Sequence, residues 1–205
     1  MISNSDRIKE YLEKEKSVID NLDIKSINMV FSVLDDALHN NKTVYTFGNG
    51  GSGSTASHMV NDFNKALFKS TQCVFNFRCL NDNIPTLLAV ANDISYDDVF
   101  LYQLMGRLTD NDVIIAFSGS GNSKNIIKAV EYARKCGAIV IGFTGYDGGS
   151  LKKMANYSID TNISNMQITE DVHLMMEHLL ISMFYEKYGL VDNKKLVRIF
   201  TEGNI

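Results

Sequence analysis

Residues 112–123 read Asp112-Val113-Ile114-Ile115-Ala116-Phe117-Ser118-Gly119-Ser120-Gly121-Asn122-Ser123. The apolar run from Asp112 to Phe117 reads as a compact strand, and Asn122 to Cys136 has the spacing of a helix. Between them serine and glycine alternate. Glycines let backbone N–H groups approach an anion, serine hydroxyls add donors, and a helix N-terminus adds a favourable dipole, so the turn forms a nest for one phosphate group. A serine-capped helix after a tight turn is the plain structural alternative.

A second loop makes that alternative less attractive. Thr43 to Phe47 reads as a strand and runs into Gly48-Asn49-Gly50-Gly51-Ser52-Gly53-Ser54, which opens another helix. This stretch matches G-x-G-x-x-G, yet no acidic residue ends the next strand in the ribose position; the nearest is Asp82, beyond Leu80. A dinucleotide fold needs one glycine loop and this chain has two. No Gly-Lys-Ser/Thr follows either loop, which excludes a P-loop.

Outward from the two loops, strands alternate with helices. Two helices, 5–20 and 24–40, precede the first strand, with Ile8, Leu12, Val18 and Ile19 and then Ile27, Val30, Phe31, Leu34 and Leu38 at helical spacing. Val74 to Leu80 is strand-like; Ile84 to Ala91 and Asp97 to Leu108 read as helices. Ala138 to Phe143 and Tyr157 to Thr161 are further strands, Gly149 to Ala155 a short helix, and Thr169 to Tyr188 a long final helix. The expected fold class is therefore α/β, a three-layer, doubly wound parallel sheet with N-terminal helices. Ligands of such sheets bind at the carboxyl ends of the strands, where both loops fall. Residues 190–205 read as an appended tail.

Composition narrows the function classes. A net charge of −4 with scattered basic residues gives no electrostatic reason to expect a nucleic-acid partner. Met1 to Lys16 is too polar for a secretory segment, and no apolar run reaches the roughly 18–20 residues of a membrane span. Cys73, Cys79 and Cys136 are odd in number and sit in apolar or strand-like stretches, as reduced buried cysteines do. These readings place the chain in the cytoplasm.

Three of the four histidines lie in two helices. His58 and Asp62 are i and i+4 on the helix after the first loop and share a face. On the last helix Glu170 and His178 are eight residues apart, about 80° around the axis and roughly 12 Å along it. His173 and Glu177 lie near that stripe. Two histidines and two carboxylates could bind one zinc, or serve as acid and base without metal. His39, before Asn40-Asn41, reads as an exposed helix end without a role.

Phe47-Gly48-Asn49-Gly50-Gly51-Ser52 together with Ser118-Gly119-Ser120-Gly121-Asn122-Ser123 resembles the sugar isomerase (SIS) domain, whose sheet is flavodoxin-like. Ala91-Asn92-Asp93, Tyr96 and Val99-Phe100 narrow the resemblance to the phosphoheptose isomerases, over roughly residues 5–188 of a single domain spanning 1–189. It implies that Ser118, Gly119, Ser120 and Ser123 hold the sugar phosphate, with Asn49, Gly50, Ser52, Lys65 and Asp93 on the same substrate. It implies Asp62 and His178 as the catalytic base and acid/base, and His58, Asp62, Glu170 and His178 as ligands of a zinc ion. It also implies a homotetramer with residues 1–40 packed between subunits and sites completed by neighbouring chains. The expected reaction converts sedoheptulose 7-phosphate to glycero-manno-heptose 7-phosphate through an enediol.

The chain departs from the family in three places: Asp62 stands where the family has Glu, Glu170 where it has Gln, and Asn64-Lys65-Ala66 where it has an Arg. Asp is a methylene shorter than Glu, and Lys65 offers a point charge without the guanidinium fork. The competing expectation is a non-catalytic sugar-phosphate-binding module, which would need the serine loops but neither His58 nor His178.

Overall fold

The computed structural model describes residues 3–65 and 74–189. The expected tail at 190–205 and the expected buried Cys73 lie outside the described residues. Along the chain come α1 (Asn4–Asp20), α2 (Ile24–His39), β1 (Thr43–Gly48), α3 (Gly51–Lys65), β2 (Asn76–Cys79) and α4 (Ile84–Asp93). A 3₁₀ turn (Tyr96–Asp98), α5 (Leu101–Leu104), β3 (Val113–Ser118), α6 (Lys124–Lys135), β4 (Ile139–Thr144), α7 (Gly149–Met154), β5 (Tyr157–Asp160) and α8 (Met166–Lys187) follow.

The strands form one five-stranded sheet in the order β2-β1-β3-β4-β5, every pair parallel. The period of two sorts β3 onto two cores. Val113, Ile115 and Phe117 join α1, α2, α3 and α8 on one face. Ile114 and Ala116 join α4, α5, α6 and α7 on the other. This is the expected α/β architecture, with helices on both faces of a doubly wound sheet. The strand order reverses between β1 and β3, where Gly48 pairs with Phe117, so the two glycine loops emerge side by side at the carboxyl edge.

Side-chain amides fasten this edge. Asn81 accepts from the Gly48 N–H at 3.2 Å and donates to the Gly48 carbonyl at 2.8 Å, fixing the end of β1. Asn64, near the end of α3, makes the same reciprocal pair with Phe77 of β2, both bonds 2.9 Å. These pairs satisfy backbone groups that the ladder does not and set α3 against the sheet.

The expected helix over Asp97 to Leu108 is a correction. The structure breaks it into the 3₁₀ turn and the single turn of α5. Val99, Phe100 and Leu104 are drawn into the core, while Met105 turns extended and Gly106 takes a φ of +71°. A left-handed glycine ends a helix whatever the spacing of the apolar residues beyond it.

Candidate functional site

Each loop is shaped by a close approach that only glycine permits. Gly121 has a φ of +65°, and a Cβ there would overlap the Gly148 carbonyl. The Gly121 carbonyl accepts from the Leu151 N–H at 2.9 Å, and the Gly119 carbonyl from the Gly145 N–H at 2.8 Å. The Ser118–Ser123 turn is thus held from behind by the β4–α7 connection.

Between the loops lies a cavity of about 240 Å³ lined by Asn49, Gly50, Gly51, Ser52, Ser118, Gly119, Ser120 and Ser123, with Phe117, Met166 and Glu170 closing it. The Ser118 hydroxyl is buried without a hydrogen-bond partner. Ser123 stands at the N-cap of α6 yet makes no capping bond, so its hydroxyl too is available to a ligand. Asn49 is set by a reciprocal amide pair with buried Asn125, both bonds 2.9 Å, and accepts from the Tyr96 hydroxyl at 3.1 Å. The N-termini of α3 and α6 converge here, and among the described residues no Lys or Arg lines the cavity. Neutral donors and helix dipoles supply its affinity for an anion.

A cluster of ionisable groups lies further along α3 and α8, which pack against one another. A Cβ at Gly51 would overlap the Glu170 carboxylate, and seven residues further along each helix His58 faces Glu177 and His178. The helices therefore run in the same direction, with the two levels roughly 10 Å apart. At the second level His58 Nε2 lies 3.1 Å from His178 Nε2 and 3.3 Å from Asp62 Oδ2. Glu177 Oε2 is 3.4 Å from His178 Nε2 and 3.9 Å from His58 Nε2. These four residues offer ligand atoms all within 4.8 Å of one another, so the cluster could hold a metal ion. Neither oxygen of the buried Glu177 has a hydrogen-bond partner, the condition of a carboxylate short of a cation. Burial, reinforced by the Asp62 charge, pushes the Glu177 carboxyl up to about 8.

The sequence-derived set is thus divided. His58, Asp62 and His178 are brought together, whereas Glu170 lines the anion cavity at the Gly51 level and does not join their cluster. Asn49, Gly50, Ser52, Ser118, Gly119, Ser120 and Ser123 all line the cavity; Asp93 and Lys65 do not, each being exposed at a helix end. His173 is wholly buried, and its ring Nε2 donates to the Thr144 carbonyl at 3.2 Å. Burial pushes this imidazole down to about 4, so it is a neutral strut between α8 and β4. His39 ends α2 against the Tyr188 hydroxyl, 3.3 Å away. Cys79 and Cys136 are free thiols, half-buried.

Sequence reasoning placed Glu177 only near the stripe. A carboxylate flanked by Val172, His173, Met176 and Leu180, all buried, was the signal available. Asn125, which sets Asn49, carries no such signal, because the contact spans the two loops.

Residues 9–145 match the SIS domain family. A probable phosphoheptose isomerase of Thermoplasma acidophilum is 32% identical over 88% of this chain and 98% of its own length. A phosphoheptose isomerase of Helicobacter pylori is 30% identical over 84% of this chain and 87% of its own. The solved structure of a phosphoheptose isomerase from Francisella tularensis superposes with a TM-score of 0.78 at 25% identity, covering 88% of this chain and 97% of that one. With two adjacent glycine loops at the switch point and these relatives along most of its length, the chain belongs to the SIS domain family, among the phosphoheptose isomerases.

Proposed function

We propose that the protein isomerises sedoheptulose 7-phosphate to glycero-manno-heptose 7-phosphate. One juxtaposition carries the reading: an anion cavity rich in serine opens onto the same two helices that hold the His58–Asp62–His178 cluster roughly 10 Å further on. An extended heptose phosphate can bridge that length. Its phosphate accepts from the hydroxyls of Ser118, Ser120 and Ser123, and its carbonyl end reaches the cluster. The names of the relatives support the same substrate class, an aldose–ketose phosphosugar pair.

In this reading Asp62 takes the proton from C1 of the ketose while His178 donates one to the C2 oxygen, giving an enediol. Asp62 then returns its proton to C2, and His178 recovers one from the C1 hydroxyl as the aldehyde forms. His58, 3.3 Å from Asp62 and 3.1 Å from His178, orients both groups. A zinc ion on this cluster would act as a Lewis acid on the substrate oxygens. The functional unit is a homotetramer; Ile8, Leu12 and Ile19 stand exposed on one face of α1, as a helix buried between subunits requires.

A proton NMR time course with sedoheptulose 7-phosphate, with and without zinc, tests the reading. Appearance of the aldoheptose phosphate, and its loss in His178→Ala with phosphosugar binding retained, is the expected result. A thermal shift with the phosphosugar but no conversion under any metal condition would make the protein a binding module instead.

A further inference from the structure

The second face of the sheet carries another concavity, of about 260 Å³, where the edge strand β2 meets the segment from α4 to the end of α5. Tyr45 of β1 and Arg78 of β2 are register partners, and because Phe77 belongs to the first core, both side chains fall on this second face. Arg107 comes to the same concavity from beyond α5. Gly106, with its φ of +71°, turns the chain there, and Arg107 lines the pocket together with Arg78, Tyr45 and Gln103. No residue is shared with the serine-lined cavity.

The polar groups of this pocket are left open. Among the described residues neither guanidinium makes an ion pair; Arg78 Nε donates to Asn76 Oδ1 at 3.3 Å, and no acidic side chain lines the pocket. Two like charges in one concavity repel unless an anion joins them. Asp112, the acid whose charge acts on Tyr45, accepts from the N–H groups of Thr43 and Thr109 at 3.2 and 2.8 Å and from the Thr109 hydroxyl at 2.9 Å. Tyr45 is buried, yet its hydroxyl makes no hydrogen bond among the described residues. Burial and Asp112 push this phenol up against the pull of Arg78 and Arg107, so it stays a protonated donor close to both. Gln103 donates its amide hydrogens to the carbonyls of Leu80 and Val99, at 3.0 and 2.9 Å, which leaves its side-chain oxygen as an acceptor.

We propose that this pocket is a second ligand site, which takes a small phosphate monoester between Arg78, Arg107 and the Tyr45 hydroxyl, with the Gln103 oxygen accepting from a hydroxyl of its organic part. Guanidinium forks match the edges of a phosphate, and the phenol adds a further donor. The chemistry is the reverse of that in the serine-lined cavity, where neutral donors meet the anion. Sugar phosphates and nucleoside monophosphates share the recognised groups, and the test separates the two.

Full-length protein labelled with nitrogen-15 arginine is titrated with fructose 6-phosphate, adenosine 5′-monophosphate and inorganic phosphate, and the side-chain Nε–H resonances are followed by NMR. No turnover is read, so the outcome is independent of the isomerase reading, and the serine-lined cavity, with no arginine among its described lining, does not report. Arg78 and Arg107 are expected to shift together and saturate while Arg7 and Arg134 stay in place. One ester should bind about tenfold or more tighter than inorganic phosphate, the increment that one or two hydrogen bonds from its hydroxyls supply. Fructose 6-phosphate as the tighter ligand marks a sugar-phosphate site, and adenosine 5′-monophosphate a nucleotide site. Arg107→Gln should weaken that ester about 10- to 100-fold, as loss of a hydrogen bond to a charged group does. Arg78→Gln, on the other wall, should do the same, so misfolding of one variant leaves the test intact. No saturable shift, equal movement at every arginine, inorganic phosphate bound as tightly as both esters, or undiminished affinity in the two variants would each overturn the proposal.

Discussion

Ser118 is the residue through which the anion cavity can be questioned most directly. Its hydroxyl is buried and unpartnered, and in the proposed reading a bound phosphate oxygen is its acceptor. A hydrogen bond to a charged group contributes about 1.5–3 kcal/mol. Ser118→Ala is therefore expected to raise KM about 10- to 100-fold with kcat little changed, read from initial rates of heptose-phosphate conversion. His173 invites a different measurement. Its imidazole is depressed from 6.5 to about 4 in the folded protein, so the unfolded chain takes up a proton first as pH falls. The contribution of this residue to stability is expected to be full above pH 6.5 and to be lost as pH falls toward 4, by about 3 kcal/mol. Melting temperature followed across that window should lose its slope in part in His173→Gln. Of the residues themselves, the serines, His58, Asp62 and His178 were legible because loop composition and i, i+4 spacing are local properties. Glu170 was drawn toward the histidines by its position on the helix face, yet where it sits depends on which level of α3 it meets. One chain segment cannot display that.

At the scale of elements, the loop between β3 and α6 behaves as a rigid part. Gly121 is pinned by its positive φ and by the Gly148 carbonyl behind it. Gly121→Ala should cost about 1–2 kcal/mol from the left-handed backbone alone, with the overlap in addition. Both a lower urea midpoint and a smaller phosphosugar-induced thermal shift are expected, because the same displacement moves Ser120 and Ser123. The elements were largely readable from period and punctuation: each expected strand appears within a residue or two of its place. The failure at Asp97–Leu108 has a physical cause. Val99, Phe100 and Leu104 are buried by tertiary contact, and their spacing imitates a longer helix than the left-handed Gly106 allows.

At the scale of the molecule, the parallel sheet follows from alternation of strands and helices, whereas the order β2-β1-β3-β4-β5, which sets the two loops on a shared edge, is seen in the structure alone. The proposed assembly would rest on what α1 leaves uncovered: Ile8 and Leu12 are 61% and 57% exposed. Ile8→Lys with Leu12→Lys should shift the protein to a smaller species on size-exclusion chromatography with light scattering, and a tetramer that survives both changes would remove α1 from the interface. The cavity has a consequence in ionic strength. Sites that grip phosphate with lysine and arginine lose affinity as salt screens the attraction. Here, among the described residues, the one charged side chain lining the cavity is Glu170, and in the proposed reading the anion is otherwise met by hydroxyls, amides and helix ends. Screening acts on the Glu170 repulsion and on the helix-end attraction in opposite senses, so added sodium chloride should weaken the apparent affinity for heptose phosphate far less than at a site lined by lysine or arginine.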